Sequence, residues 1–124
     1  MNNINGLVES YVALWNEGNA ARRREGIAAL WTEDGVHFSR TIAAQGHALI
    51  EARIAKAYNE FVGSGRFSFV WAGNVDSHHQ GVRLTWHMVS TIDHRIAAVG
   101  FDFLLLDEQG RIRSDHQFTD PLPA

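Results

Sequence analysis

The segment VRLTWHMVSTIDHRIAAVGFDFLLL, residues 82–106, decides the fold. Leu84, Trp86 and Met88 alternate with Thr85, His87 and Val89 at the two-residue period of a β-strand. After a short break the chain resumes at Arg95 and runs to Leu106 as a second, almost wholly apolar strand. Alternation does not settle which face is inside, because a sheet wrapped by helices can bury both. Flanking segments extend the pattern. Arg66 to Ser77 and Arg111 to Phe118 are rich in β-branched and aromatic residues, with turns at His79-Gln80-Gly81 and Asp107-Glu108-Gln109-Gly110. Four consecutive antiparallel strands are the simplest reading.

Upstream the period changes to that of helices. Ile4, Leu7, Val8, Tyr11, Leu14 and Trp15 mark a first helix stopped by Gly18. Asn19 is placed to cap a second, with Ile27, Leu30 and Trp31 inward and an end near Thr32-Glu33-Asp34-Gly35. A short strand, Val36 to Ser39, and a loop to Gly46 lead to a third helix on Ile50, Ile54, Ala57, Tyr58 and Phe61, closed at Gly63-Ser64-Gly65. Three helices before a meander predict one α+β domain over residues 1–124, with the helices covering one face of a curved, cone-shaped antiparallel sheet around a pocket.

Composition narrows the function. A chain of 124 residues with 45% hydrophobic content builds one core without staples. The absence of cysteine removes disulfides, thiolate nucleophiles and Cys-ligated zinc, and suits a cytoplasmic location. No basic leader and no apolar stretch of membrane-spanning length is present, so a soluble, unprocessed chain is expected. A net charge of −3 and a pI near 6.1 argue against nucleic acid as partner. The run Arg22-Arg23-Arg24 reads as a solvated helix face. Seven histidines contain no HExxH pair, so no metal site is expected, and no glycine-rich phosphate loop or nucleophile elbow is seen.

Asp102 stands out as a carboxylate inside an apolar strand. It must be paired, protonated or facing a cavity, and pairing to a neighbouring strand competes with a pocket role. His87, in the preceding strand, titrates in the range useful for acid–base chemistry, although a single histidine in a strand serves structure more often. Asp115, His116 and Asp120 form a polar group on the last strand, one face of which should reach a cavity. A one-residue bulge there would exchange the faces.

The order of elements, the helix-ending LWTEDG (30–35), the helix-opening GHALIEARI (46–54) and the hairpin LLLDEQGRI (104–112) together resemble the SnoaL-like and ketosteroid-isomerase-like branch of the nuclear transport factor 2 superfamily, a cystatin-like roll. The resemblance covers nearly the whole chain. It implies a cofactor-free isomerase or cyclase acting on an enolisable carbonyl compound, with a small apolar or aromatic molecule as substrate and a homodimer as assembly. On that pattern Tyr11 and Asp102 fall at the two oxyanion-hole positions, where the aspartic acid is held protonated so that it donates. The family's catalytic aspartate is replaced by Ser39, so the resemblance assigns proton transfer to His87 or His37, both expected to face the pocket. Trp15, Trp31, Ser39, Tyr58, Phe61, Val89 and Asp115 complete the expected substrate wall. The loss of the base also supports a non-catalytic binding or dimerisation module. Epoxide hydrolysis or dehydration ranks third, because Gly100 stands where the hydrolase pattern carries arginine.

Overall fold

The computed structural model describes residues 3–120, and the proline-bearing tail lies outside them. Helix α1 (Ile4–Leu14) is opened by Asn3, whose side chain accepts from the Gly6 backbone N–H at 2.9 Å. Its buried stripe, Val8, Tyr11, Val12 and Leu14, is the one the spacing predicts. Helix α2 (Ala20–Leu30) is capped by Asn19, which accepts from Arg22 at 3.0 Å. Its middle arginine corrects the expectation of a solvated run. Arg23 is buried, paired with Glu51 at 3.0 Å, donating to the Glu17 carbonyl and lying over the Tyr58 ring. On an amphipathic helix only Arg22 and Arg24 point to solvent.

Strand β1 (Trp31–Phe38) begins directly after α2, five residues earlier than the sequence suggests. The acidic-Gly run is not a turn. It is an irregular stretch of strand, with the ladder interrupted between Trp31 and Val36. A Cβ at Gly35 would crowd Trp31 and two backbone carbonyls, so glycine lets the chain close there. A second correction is β2 (Ala43–Gln45), a three-residue strand antiparallel to β1 where a plain loop was expected. Helix α3 (His47–Ala57) follows Gly46, at φ 85°, and runs into one π-helical turn, Tyr58–Val62.

The meander is β3 (Phe67–His78), β4 (Gly81–Ser90), β5 (Ile96–Leu106) and β6 (Ile112–Asp120), each within a few residues of its expected limits. The six strands form one curved, unclosed sheet in the order β2-β1-β6-β5-β4-β3. The sheet is mixed rather than antiparallel throughout, because β1 pairs parallel to β6. The chain between them, α3 and three strands, supplies the long connection that parallel pairing requires. Ladder irregularities in β3, between Trp71 and Val75, and at the β4–β5 and β5–β6 pairings add local bend and twist.

Register fixes the faces. Leu84 pairs with Asp102 and Leu104 with Asp115, all four buried against the helices. The outer face carries rows such as Val70–His87–Val99 and Thr85–Phe101–Phe118.

Candidate functional site

A cavity of about 190 Å³ opens between the helices and the inner face of the sheet. Tyr11 of α1 and Trp15 at its C-terminal cap, Arg53 of α3, Phe61 of the π-turn, Trp86 and Met88 of β4, and Gln117 and Thr119 of β6 contribute to its wall. Most of the lining is apolar, with few polar groups, the usual make-up of a small-molecule site.

Behind Tyr11 and Trp86 lies a buried polar cluster. The Tyr11 hydroxyl is 2.7 Å from Asp102 Oδ2 and 2.6 Å from Asp115 Oδ2. Trp86 Nε1 donates to Asp102 Oδ1 at 2.7 Å, and His37 Nδ1 is 2.8 Å from Asp115 Oδ2. Asp102, Asp115 and His37 are each 0% exposed. A hydroxyl has one proton and cannot donate to two carboxylates, so one carboxyl must donate to it. Burial pushes the Asp102 carboxyl well above the usual range, reinforced by the charge of Asp115. Burial also raises Asp115, to about 6, while its bonds to Asp102 and Tyr11 and the Arg53 charge oppose the rise. Burial lowers His37 to about 4 against the pull of Asp102, so its imidazole is neutral. Tyr11, desolvated and beside both acids, is held well above 10 and keeps its proton.

One assignment satisfies all four contacts at neutral pH. Asp102 is a neutral acid donating to the Tyr11 oxygen, and Asp115 is a carboxylate accepting from Tyr11 and from His37 Nδ1–H. His37 Nε2 and Asp115 Oδ1 are left without partners.

Local sequence explains how the cluster assembles. A Cβ at Gly100 would overlap the Trp86 indole and approach the Phe118 carbonyl, so glycine lets the indole lie flat across β5 and reach Asp102. In β6 the ladder shifts between the Leu105–Ser114 and Leu106–Ile112 pairs, and both Ile112 and Asp115 are buried although three residues apart. The bulge turns Asp115 inward beside Asp102.

Ligating atoms of His37, Asp102 and Asp115 lie within 4.8 Å of one another. The 2.8 Å separation of His37 Nδ1 from Asp115 Oδ2 is nevertheless that of a hydrogen bond. Ligands about 2.0–2.2 Å from a tetrahedral zinc stand roughly 3.4 Å apart. The cluster as built is closed on itself.

The other expected residues are distributed differently. Trp15 and Phe61 line the cavity, and Tyr11 does so with its hydroxyl end in the cluster. His87 does not face it: its neighbours Trp86 and Met88 do, and it sits on the outer face between Val70 and Val99. Val89, beyond the adjacent ladder shift, is also absent from the wall. Ser39 lies past the end of β1, exchanging backbone hydrogen bonds with Ile42. Trp31 is wholly buried beside Tyr11, and Tyr58 packs at Gly18 under Arg23, both outside the wall. Asp102 and Asp115 lie behind the cavity rather than in it. Sequence reasoning overlooked Arg53, Gln117 and the indole N–H of Trp86. For Arg53 a signal existed, since it stands three residues after Ile50 and one before Ile54 on the buried stripe of α3.

A curved sheet wrapped by three helices, with a cavity between them, defines a domain of the nuclear transport factor 2 type. The chain belongs to the SnoaL-like family. It is 30% identical to a SnoaL-like protein of Agrobacterium tumefaciens str. C58, described as a proposed isomerase, over 98% of this chain and 100% of that one, with a TM-score of 0.86. Two more distant structures share the fold. An NTF2-like protein of unknown function from Cytophaga hutchinsonii is 14% identical, with a TM-score of 0.65, over 98% of this chain and 93% of the other. A proposed polyketide cyclase from Sinorhizobium meliloti is 11% identical, with a TM-score of 0.66, over 91% and 94%. No family model matches the chain, and no curated protein does. Among the described residues no helix is long and apolar enough to cross a membrane.

Proposed function

We propose that this chain binds a small carbonyl compound, apolar or aromatic in its body, and acts on it as a cofactor-independent isomerase or cyclase. One observation carries the reading. Tyr11 lines the cavity, and its hydroxyl, bonded in the cluster behind it, is backed by a buried acid that keeps its proton at neutral pH. Turned toward a ligand, that hydroxyl donates to a carbonyl oxygen, and charge developing on the oxygen as the compound enolises is shared along Tyr11 and Asp102. Trp86 steadies Asp102 from the other side, and neutral His37 steadies Asp115. Asp102 then acts through Tyr11, without touching the substrate itself.

Size restricts the substrate. An apolar cavity of about 150 Å³ holds one benzene ring. About 190 Å³ therefore encloses a single ring with a small substituent, or a chain of similar bulk. No carboxylate or imidazole lines the cavity wall among the described residues. Carbon acids acidic enough to give their carbon-bound proton to water, such as 1,3-dicarbonyl compounds, suit a site that supplies a proton donor and no side-chain base. The same observation favours the second reading, a non-catalytic binder of such compounds. A cytoplasmic homodimer, formed through the outer sheet face, completes the proposal. Phe103 and Phe118 stand 40% and 50% exposed on that face, a larger aromatic display than a monomer needs.

The test is binding of phenols of graded acidity, mimics of an enolate, to the wild type and to Tyr11→Phe and Asp102→Leu variants. Binding that tightens with phenol acidity and is lost in both variants supports the oxyanion site. Binding indifferent to acidity and to both substitutions moves the assignment to the non-catalytic module.

A further inference from the structure

Arg53 makes no direct ion pair with any of the described residues. It stands on the inner face of α3 and lines the cavity beside Trp15, over whose ring its guanidinium lies at 5.4 Å. One nitrogen, Nη2, donates to the Gln117 side-chain oxygen at 3.0 Å, while Nε is buried and has no partner. Among the described residues no carboxylate lies within ion-pair distance of it, whereas Arg23 of α2 is paired with Glu51 of α3. Burial pulls the Arg53 pKa down even though Tyr11, Asp102, Asp115 and Glu60 pull it up. A guanidinium stays charged in such surroundings, so part of its hydration has been given up with no carboxylate in direct contact.

Neighbouring groups turn this into a pattern. With its oxygen occupied by Arg53, Gln117 keeps its amide nitrogen as a donor, and the Thr119 hydroxyl stands two residues further along the same strand face. The rest of the wall between these groups and Tyr11 is apolar, including Val12, Phe61, Phe69 and Met88. The cavity thus has two polar stations: a neutral hydroxyl donor at Tyr11 and a cationic fork at Arg53.

We infer that the cavity takes a monocarboxylate, a small keto acid whose carboxylate is held by Arg53 and Gln117 while its carbonyl oxygen meets Tyr11. The inference rests on the carbonyl-binding reading above and adds the charge of the substrate. A single arginine with amide and hydroxyl donors suits a planar monoanion, which it meets with two parallel hydrogen bonds. A phosphate dianion would leave one charge uncompensated in a cavity of this polarity. Arg53 serves here as a binding residue that also fixes which end of the ligand lies toward Tyr11.

The probes are benzoate and benzamide, nearly isosteric and both of one-ring size, titrated by calorimetry or NMR into the wild type and into Arg53→Met and Arg53→Lys, with near-neutral phenol binding as a parallel readout. Benzoate is expected to bind the wild type at least tenfold more tightly than benzamide. Arg53→Met should abolish the preference while leaving benzamide within about threefold, and Arg53→Lys should retain part of it. Equal binding of the two probes, no binding of benzoate, or a preference that survives Arg53→Met overturns the inference. Because the preference is first read on the wild type, misfolding of a variant does not rescue it. Acid-dependent phenol binding alongside equal benzoate and benzamide affinities sinks the carboxylate station alone. Loss of all phenol binding sinks the carbonyl reading instead.

Discussion

The two faces of the β4–β5–β6 sheet invert the usual arrangement. The inner face, against the helices, buries Asp102 and Asp115 with His37 of β1, and the outer face displays Phe101, Phe103 and Phe118, the first and last of them stacked at 4.8 Å. In an ordinary domain the acids would be outside and the phenylalanines within. The two departures differ in kind. Inside, the cluster's polar atoms other than His37 Nε2 and Asp115 Oδ1 have partners, so most of the cost of burial is met within the chain. Outside, the aromatic rings have only each other and Arg83, whose guanidinium lies 4.9 Å from the Phe101 ring. The inner anomaly is largely compensated within one molecule, whereas the outer one is the surface through which the proposed dimer would form.

The strongest way to break the inner arrangement leaves its polar groups untouched. Gly100→Ala puts a methyl group into the Trp86 indole and close to the Phe118 carbonyl, so strands must shift or Trp86 must leave Asp102. A loss of roughly 3 kcal/mol in unfolding free energy by urea titration is expected, with phenol binding weakened in parallel. A change under about 0.5 kcal/mol would mean that the indole does not depend on the missing Cβ.

Acidity sharpens the same point. Asp102 and Asp115 have folded pKa values raised above their unfolded ones, so their ionisation favours the unfolded chain. Their contribution to stability falls as pH rises from about 4, through about 6 for Asp115 and further for Asp102. His37, lowered to about 4, acts oppositely and adds stability as pH rises from about 4 to 6.5. Above 6.5 only the Asp102 contribution is still changing among the three. Thermal unfolding should therefore occur at lower temperature at pH 8.5 than at pH 6.5, and Asp102→Asn should flatten that slope. An unchanged slope in the variant would show that Asp102 is ionised throughout.

The outer face gives the next effect. Phe118→Asp is expected to convert a dimer to a monomer in sedimentation at micromolar concentration while leaving the monomer's fold intact, since Phe118 is half exposed. A wild type that already sediments as a monomer removes the proposed assembly. The smallest effect belongs to His87→Ala. Facing outward, it should leave phenol affinity within twofold, and a larger loss would mean that the imidazole reaches the cavity after all.

Most of the fold was legible because hydrophobic spacing changes from helical to alternating once, near Gly65, and every long element follows that change. What escaped was short or non-local. Ala43-Ala44-Gln45 is too brief to declare a strand, TEDG has turn composition but is held extended by Gly35, and the parallel pairing of β1 with β6 depends on the whole intervening chain. Within the site, Asp102 stood out as a carboxylate in an apolar strand and Asp115 as part of a polar group on the last strand, whereas Tyr11 and His37 were marked only by the family resemblance. The inward side of β4 did not, since alternation defines two faces without labelling them. Arg53 was concealed because a long cationic side chain on a helix reads as surface, although its stem crosses apolar ground to the cavity.

The π-helical turn at Tyr58–Val62 holds one residue more than an α-helical path would need. Deleting a residue there rotates the remainder of the turn by about 100° and carries Phe61 off the cavity wall, with α3 and the sheet left as they are. The volume available to a ligand is therefore adjustable by chain length at one wide turn, a route by which relatives of this fold can change what they hold without rebuilding what holds them together.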